Sequence, residues 1–468
     1  MPMMKRLRIW RAILAVTAFS LGASLTYSQS ANELAWRKAT KTADGHFEGT
    51  ELPKVLSRLS SLTGWKIYLQ PGVDRQVSVQ FKNASQGDAL KMIMGELSYA
   101  LVPQGNGGGS KLYVYETSIS EATSFVRPDA GARPKNWIAN EVILSLAPGS
   151  KLDAEKLAAQ LGGKVVAKSE ELNAYRIEFP DAATADAARE KIAARADAAY
   201  HDNYSFDRPT VGGAGQPSPE SLFPIDPKPV TRGDQITVAL VDTPIQPLEG
   251  KMKDFVLPSI HIRDQMTSFP EGPTHGTSMT QTLLNSMAST QGGNDSALGK
   301  VRVLPIDIYG SSPSTSTFEV AQGLHKAIES GAQVINLSLG GTGASPMVDY
   351  LLEMAYKKEI LVFASAGNNP TTDATYPAAN PNTIAVTAVD WNGQLAPYAN
   401  RGDFVDVKAP GQSRIFFNGQ NWISTGTSTA TAFISGQAAA LAANGYSARD
   451  SANAILTHFD INSAPQQR

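Results

Sequence analysis

From about residue 235 onward the chain alternates two hydrophobic patterns. Short runs are apolar at nearly consecutive positions, at residues 235–241, 301–308, 333–337, 360–365 and 383–389, and helix-like segments separate them. Successive side chains of a strand point to opposite faces of its sheet, so a strand apolar at every position has no wet face. Such strands belong in the middle of a parallel sheet covered by helices on both sides. Residues 231–462 are therefore expected to form an α/β domain, with its functional groups at the C-terminal ends of the strands.

The chain before residue 231 has a different rhythm. Residues 137–207 run strand, helix, strand, strand, helix, strand, at 141–146, 153–161, 163–168, 174–179, 183–195 and 198–206. That is the ferredoxin-like order. Residues 46–117 form a second small α+β block, in which a helix with Leu52, Val55, Leu56, Leu59 and Leu62 on one face precedes alternating strands at Trp65, Ile67, Leu69 and at Val77, Val79, Phe81. A second helix carries Ala89, Leu90, Ile93 and Leu97, and a hairpin through Gly105 to Gly109 closes the block. Residues 118–136, rich in Ser, Ala and Pro, read as a linker. So do residues 208–230, whose glycines and prolines resist regular structure and mark a place where nicking concentrates.

At the N-terminus Lys5, Arg6, Arg8 and Arg11 precede an uncharged run at 12–27, and Ser28 and Ser30 supply the small residues a signal peptidase needs. The run is shorter than the roughly 20 apolar residues that span a bilayer. Residues 1–30 thus read as a removable signal rather than an anchor, and the protein is expected to be secreted or periplasmic.

Composition narrows the chemistry. A chain of 468 residues with 42% apolar content can supply more than one core. A net charge of −2 gives no support for a nucleic-acid or anionic-membrane partner. The absence of cysteine excludes disulfides, thiol catalysis and a cysteine-ligated zinc site.

Three segments carry candidate chemistry in the order Asp, His, Ser: Val241-Asp242-Thr243, His275-Gly276-Thr277 and Gly426-Thr427-Ser428-Thr429-Ala430. Asp242 ends a strand-like run, whereas His275 and Ser428 each open an apolar, helix-like run. A serine hydroxyl needs a base to take its proton as it attacks, and an imidazole with an ordinary pKa near 6.5 suits that task. The chain has six histidines. His46, His201 and His261 fall in loop-like or strand-edge contexts, and His325 and His458 within helical patterns. None of these precedes a Gly-Thr, and no pair has zinc-ligand spacing. Glu249, Asp254 and Asp264 read as solvated charges.

Together with Val334-Ile335-Asn336-Leu337-Ser338-Leu339-Gly340-Gly341, Ala364-Ser365-Ala366-Gly367-Asn368, Tyr376-Pro377-Ala378-Ala379 and Ala409-Pro410-Gly411, these segments resemble the subtilisin-like (subtilase) family over about residues 235–443. The resemblance implies a subtilisin-like parallel-sheet domain and a serine endopeptidase acting on polypeptides through Asp242, His275 and Ser428. It also implies an oxyanion donor at Asn368 and a substrate cleft lined by Ser338, Leu339 and Gly340. No cofactor is required for such chemistry. Structural calcium is common in the family, and Asn294 and Asp295 are weak candidate ligands here, with no full set assigned.

Residues 137–207, with Leu172-Asn173-Ala174-Tyr175-Arg176, resemble the family's propeptide. This implies an intramolecular chaperone and inhibitor, cut away between about residues 206 and 229; the other reading is a permanent structural domain. Residues 46–117 resemble the short N-terminal domain of secretins and TonB-dependent receptors, through residues 49–56, 63–67 and the helix after Asn83, which implies an envelope protein partner; an unrelated α+β domain is the other reading. Three departures stand out: Pro244 where the family has Gly, Ser278 where a second His follows, and Ala432 with Phe433 where Pro and its variable neighbour stand. Pro244 fixes φ near −65° and puts the path of the loop after Asp242 in question. Two rival functions stay open, a binding or regulatory envelope protein with a latent or inactive subtilase domain, and a metallohydrolase.

Overall fold

The computed structural model describes residues 33–37, 42–73, 75–102, 110–118, 124–126, 134–210, 235–248, 250–290 and 299–463. The backbone separates into two compact units, residues 1–129 and 130–468. The signal-like residues 1–30 and most of the linker at 208–230 lie outside the described residues.

In the first unit, strands Glu33–Arg37, Thr42–Glu51 and Gln76–Ser85 form one antiparallel sheet. Ser98–Val102, Lys111–Tyr115, Lys66–Leu69 and Ser124–Val126 form another. Helices Leu52–Thr63 and Gln86–Met94 complete a core that includes Phe47, Leu56, Ile67, Leu90 and Leu112. Two elements differ from the sequence expectation. Glu33–Arg37 is already a sheet strand, upstream of residue 46, and Ser124–Val126 pairs with Lys66–Leu69 inside the stretch read as a linker. Three residues between Thr123 and Arg127 are too few to display an alternation, so their strand identity depends on the partner. Leu62 is exposed rather than on the buried helix face, and Leu97 lies beyond the helix end. The hairpin tip at 105–109 lies outside the described residues, while its arms pair from Ser98↔Tyr115 to Val102↔Lys111.

The second unit opens with Trp137–Leu146, Lys164–Ser169, Ala174–Glu178 and Ala198–Asp207, which make an antiparallel sheet in the spatial order last, first, third, second. Helices Ala154–Gln160 and Ala182–Ala193 begin at Asp153 and Asp181, whose carboxylates accept from the Lys156 and Thr184 N–H groups. Val142, Leu144 and Ile177 pack on those helices. Their sheet neighbours Ile143, Ala174, Tyr204 and Phe206 face the other way, into a core shared with helices Thr317–Glu329 and Pro346–Lys357. The small domain is thus apolar on both faces of its sheet because a second layer covers the outer one.

The larger domain is built on seven parallel strands in the order Ile260–His261, Val301–Asp307, Ile236–Asp242, Val334–Leu337, Leu361–Ser365, Ile384–Val389 and Val407–Pro410. Alternation divides the central strands between two cores. Ala239 and Val241 face the helices Thr317–Glu329 and Pro346–Lys357, whereas Val238 and Leu240 face His275–Thr290, Thr427–Ala443 and Ala448–His458. From Ile236–Asp242 the chain goes to Ile260–His261 and Val301–Asp307 on one side and then to Val334–Leu337 on the other. Asp242 therefore ends the strand at which the sheet order reverses, the place where such sheets open a crevice.

Candidate active site

Asp242 is 3% exposed and His275 5%. The two Asp242 oxygens lie 2.8 and 2.9 Å from His275 Nδ1, and the Thr243 N–H donates to Oδ1 at 2.6 Å. A carboxylate in this position fixes the imidazole with its proton on Nδ1 and its lone pair on Nε2. Ser428 is the second residue of the helix Thr427–Ala443, on the same side of the sheet as the His275 helix. Its hydroxyl donates to the Ser338 carbonyl at 3.2 Å rather than to the imidazole. Its N–H is in the first helical turn, where main-chain donors have no intrahelical partner.

The loop after Asp242 is held to the His275 helix by a set of hydrogen bonds that the sequence did not reveal. Gly276 N donates to Thr243 Oγ1 at 2.8 Å, and Thr274 Oγ1 donates to the Pro244 carbonyl at 2.6 Å. Gln246, 3% exposed, accepts from Thr274 N (2.6 Å) and Thr277 Oγ1 (3.2 Å) and donates to the Pro270 (3.2 Å) and Gly272 (3.0 Å) carbonyls. Gly276 has no substitute here, since a Cβ would lie 2.2 Å from the Thr243 carbonyl oxygen. Pro244 is accommodated because its carbonyl, not a missing N–H, makes the contact. Ser278 turns inward and donates to the Thr274 carbonyl, and the helix through Ala432 and Phe433 is continuous from Thr427 to Ala443.

Asn368 follows the strand Leu361–Ser365. Its Oδ1 accepts from Thr427 N at 2.9 Å and Thr427 Oγ1 at 3.0 Å. That pairing identifies the oxygen and leaves the amide NH₂, a donor without a protein acceptor among the described residues, beside the start of the Ser428 helix. Asn400, 1% exposed, supports this loop from behind: its Nδ2 donates to the Ala366 carbonyl (2.7 Å) and its Oδ1 accepts from Asn369 N (2.9 Å). Ser338 is tied to the same helix. Asn336 Nδ2 donates to Ser338 Oγ, Ser338 Oγ to the Ser428 carbonyl, and Ser435 Oγ to Asn336 Oδ1. Leu339 is buried and Gly340 exposed.

The other titratable candidates lie elsewhere. His46 contacts Glu48, His201 contacts Ser145, and His261 contacts Asp307. Asp254 and Asp264 are exposed, and Glu249, Asn294 and Asp295 lie outside the described residues. Among the described residues, Glu171, His325 and Glu329 could converge on a cation, but the Lys326 ammonium already contacts Glu171 and Glu329.

A parallel sheet with a buried Asp–His pair at its order reversal, and a serine in the first turn of a neighbouring helix, holds the groups that a serine hydrolase uses. The comparisons narrow the class. Residues 233–465 match the subtilase family, and residues 126–200 match the fervidolysin N-terminal prodomain. Thermitase from Thermoactinomyces vulgaris is 31% identical over 234 residues, covering 49% of this chain and 83% of that protein. Subtilisin Savinase from Lederbergia lenta is 31% identical over 217 residues, covering 44% and 76%. A thermostable alkaline protease from Halalkalibacterium halodurans is 35% identical over 177 residues, covering 37% and 48%. The chain belongs to the subtilase family, and it is a subtilisin-like serine endopeptidase with a prodomain upstream. The family's catalysis needs no cofactor.

Proposed function

We propose that this chain is a secreted endopeptidase, made as a precursor that cleaves itself, in which Asp242, His275 and Ser428 carry out the chemistry. The observation that carries this reading is the buried Asp242 carboxylate on His275 Nδ1. In this reading the Ser428 hydroxyl leaves the Ser338 carbonyl and gives its hydrogen bond to Nε2 when substrate binds. As the oxygen attacks a peptide carbonyl, Nε2 takes the hydroxyl proton, and Asp242 stabilises the resulting imidazolium. The oxyanion accepts from the Asn368 NH₂ and the Ser428 N–H. Collapse breaks the C–N bond while Nε2 returns the proton to the leaving amine, and water then repeats the sequence to release the acyl group. Peptide substrates lie extended beside Ser338, Leu339 and Gly340, held by main-chain hydrogen bonds as an added strand.

Residues 137–207 act as the inhibitory propeptide in this reading. Support comes from the antiparallel addition of Ala198–Asp207 to Ser314–Ser316, with Ser205, Phe206 and Asp207 opposite Ser316, Thr315 and Ser314. Tyr204 and Phe206 pack beside Gly343 and Gly341, just past the Ser338 to Gly340 stretch. Export rests on the N-terminal basic and apolar pattern, and none of the described helices is long and apolar enough to cross a membrane. A calcium ion, if held, would be structural.

Expression of the whole precursor with and without Ser428→Ala tests the reading. The wild-type chain should lose its upstream part through a cut between about residues 206 and 229, and the variant should stay full length by intact-mass measurement. A fully active enzyme that keeps residues 140–206 covalently attached would remove the propeptide reading and leave the triad standing.

A further inference from the structure

The tail of the upstream sheet brings side chains as well as backbone into the larger domain. Phe206, 6% exposed, joins the core that contains Phe318, Leu337 and Leu339. Two residues later Arg208 N donates to the Pro313 carbonyl at 2.7 Å. The Arg208 guanidinium donates from Nε to the Ser312 carbonyl at 2.9 Å and from Nη2 to the Gly310 carbonyl, and its carbon lies 5.5 Å from the Tyr309 ring centroid. The Tyr309 hydroxyl donates to the Asp207 carbonyl at 3.3 Å. Burial, and then the Asp242 charge, push this phenol above its ordinary range, so it stays a donor.

The cage is shaped without help from its occupant. Asp307, 1% exposed, accepts from Tyr309 N (2.9 Å), Gly310 N (2.8 Å) and His261 Nδ1 (3.2 Å), and Ser312 N donates to the Tyr309 carbonyl. Gly310 has φ +55°, and a Cβ there would lie 2.4 Å from the Asp264 carbonyl oxygen. One turn conformation therefore aims both acceptor carbonyls outward. The same loop is registered on the catalytic strand, with Asp307 opposite Asp242 and Ile308 N donating to the Asp242 carbonyl at 3.1 Å. Two carbonyls and an aromatic face suit a flat, forked cation, and a lysine ammonium matches that geometry less well.

We propose that the Tyr309, Gly310 and Ser312 cage is a specificity subsite, so that this peptidase selects extended segments with an aromatic residue followed two positions later by arginine. Phe206 and Arg208 are the resident example. The inference rests on the peptidase reading above and deepens it by naming the substrate class.

The test uses the self-processed protein and internally quenched peptides containing Phe-Asp-X, with X as Arg, Lys, Gln or Ala. The expected kcat/KM order is Arg, then Lys, then Gln and Ala, with arginine at least about tenfold above alanine. In the full precursor, Arg208→Ala should slow self-cleavage more than Asp207→Ala. Equal cleavage of the X = Arg and X = Ala peptides by enzyme whose Ser428 reacts with a serine-directed phosphonate would overturn the subsite and leave the peptidase intact. An effect of Arg208→Ala on the precursor without any preference in the free peptides would also overturn it, making the cage a latch between domains. Absence of both hydrolysis and labelling would overturn the peptidase reading and the subsite together.

Discussion

Both oxygens of Asp242 are committed to one ring nitrogen, and this predetermines how substitutions should behave. Asp242→Asn can present an N–H to Nδ1 and favour the wrong tautomer, so peptide hydrolysis should fall by about 10⁴. Ser428→Ala and His275→Ala should each fall by several orders of magnitude, and the double variant by little more, because the groups act as a unit. Asn368→Ala should lower kcat by about 10² to 10³ with KM nearly unchanged, since its donor matters as the oxyanion forms. These candidates could be picked out in the sequence because each stands in a short segment whose neighbours repeat a known context. Gln246 and Asn400 were not legible. Their importance depends on which main-chain groups converge in space, such as the Thr274 N–H and the Pro270 and Gly272 carbonyls around Gln246, and nothing local announces that. Gln246→Ala strands several of those groups, so urea unfolding should show a loss of roughly 2–4 kcal/mol. A loss within error of zero would mean that water replaces the amide.

At the level of elements, the junction between the small sheet and the helix Thr317–Glu329 is polar as well as apolar. Arg176 Nη1 donates to Glu319 Oε1 at 2.6 Å, Asn203 Nδ2 donates to Glu141 Oε2 at 2.6 Å, and Asn203 Oδ1 accepts from Phe318 N. Burial raises the Glu141 carboxyl above its ordinary value of 4.5, although the Arg176 charge and the Asn203 hydrogen bond oppose the shift. Between 4.5 and its raised folded value, the folded protein holds a proton that the unfolded chain has released. The contribution of Glu141 is therefore full below that window and is lost as pH rises through it. In a Ser428→Ala background, Glu141→Gln should flatten the pH dependence of thermal unfolding over this window. Identical slopes with and without the substitution would contradict the assignment. Gly343→Val tests the apolar side of the junction, because a Cβ there would sit 2.3 Å from the Tyr204 ring. The substitution should release the small domain after processing while leaving hydrolysis of a short peptide within about twofold.

For the whole molecule, the helix and strand order of residues 137–207 was readable from its alternating apolar positions, and the consecutive apolar strands after 235 because two-sided burial leaves few polar positions to break the runs. Less readable were the strands Glu33–Arg37 and Ser124–Val126, which are short and take their identity from distant partners. The strand Ser314–Ser316 was missed for the same reason, since Ser-Thr-Ser has no apolar signature and pairs with a segment more than a hundred residues upstream. It is nonetheless the element that joins the small domain to the larger one beside the catalytic strand. The central claim is that Ser428 is the nucleophile of a competent triad. Active-site titration of the self-processed protein with a serine-directed phosphonate, followed by peptide mapping, tests it most directly. The account expects one phosphonyl group per chain on Ser428, loss of peptide hydrolysis in proportion to labelling, and no labelling of His275→Ala. Full hydrolytic activity after Ser428 is replaced by Ala, or a stoichiometric label on another residue, would contradict it.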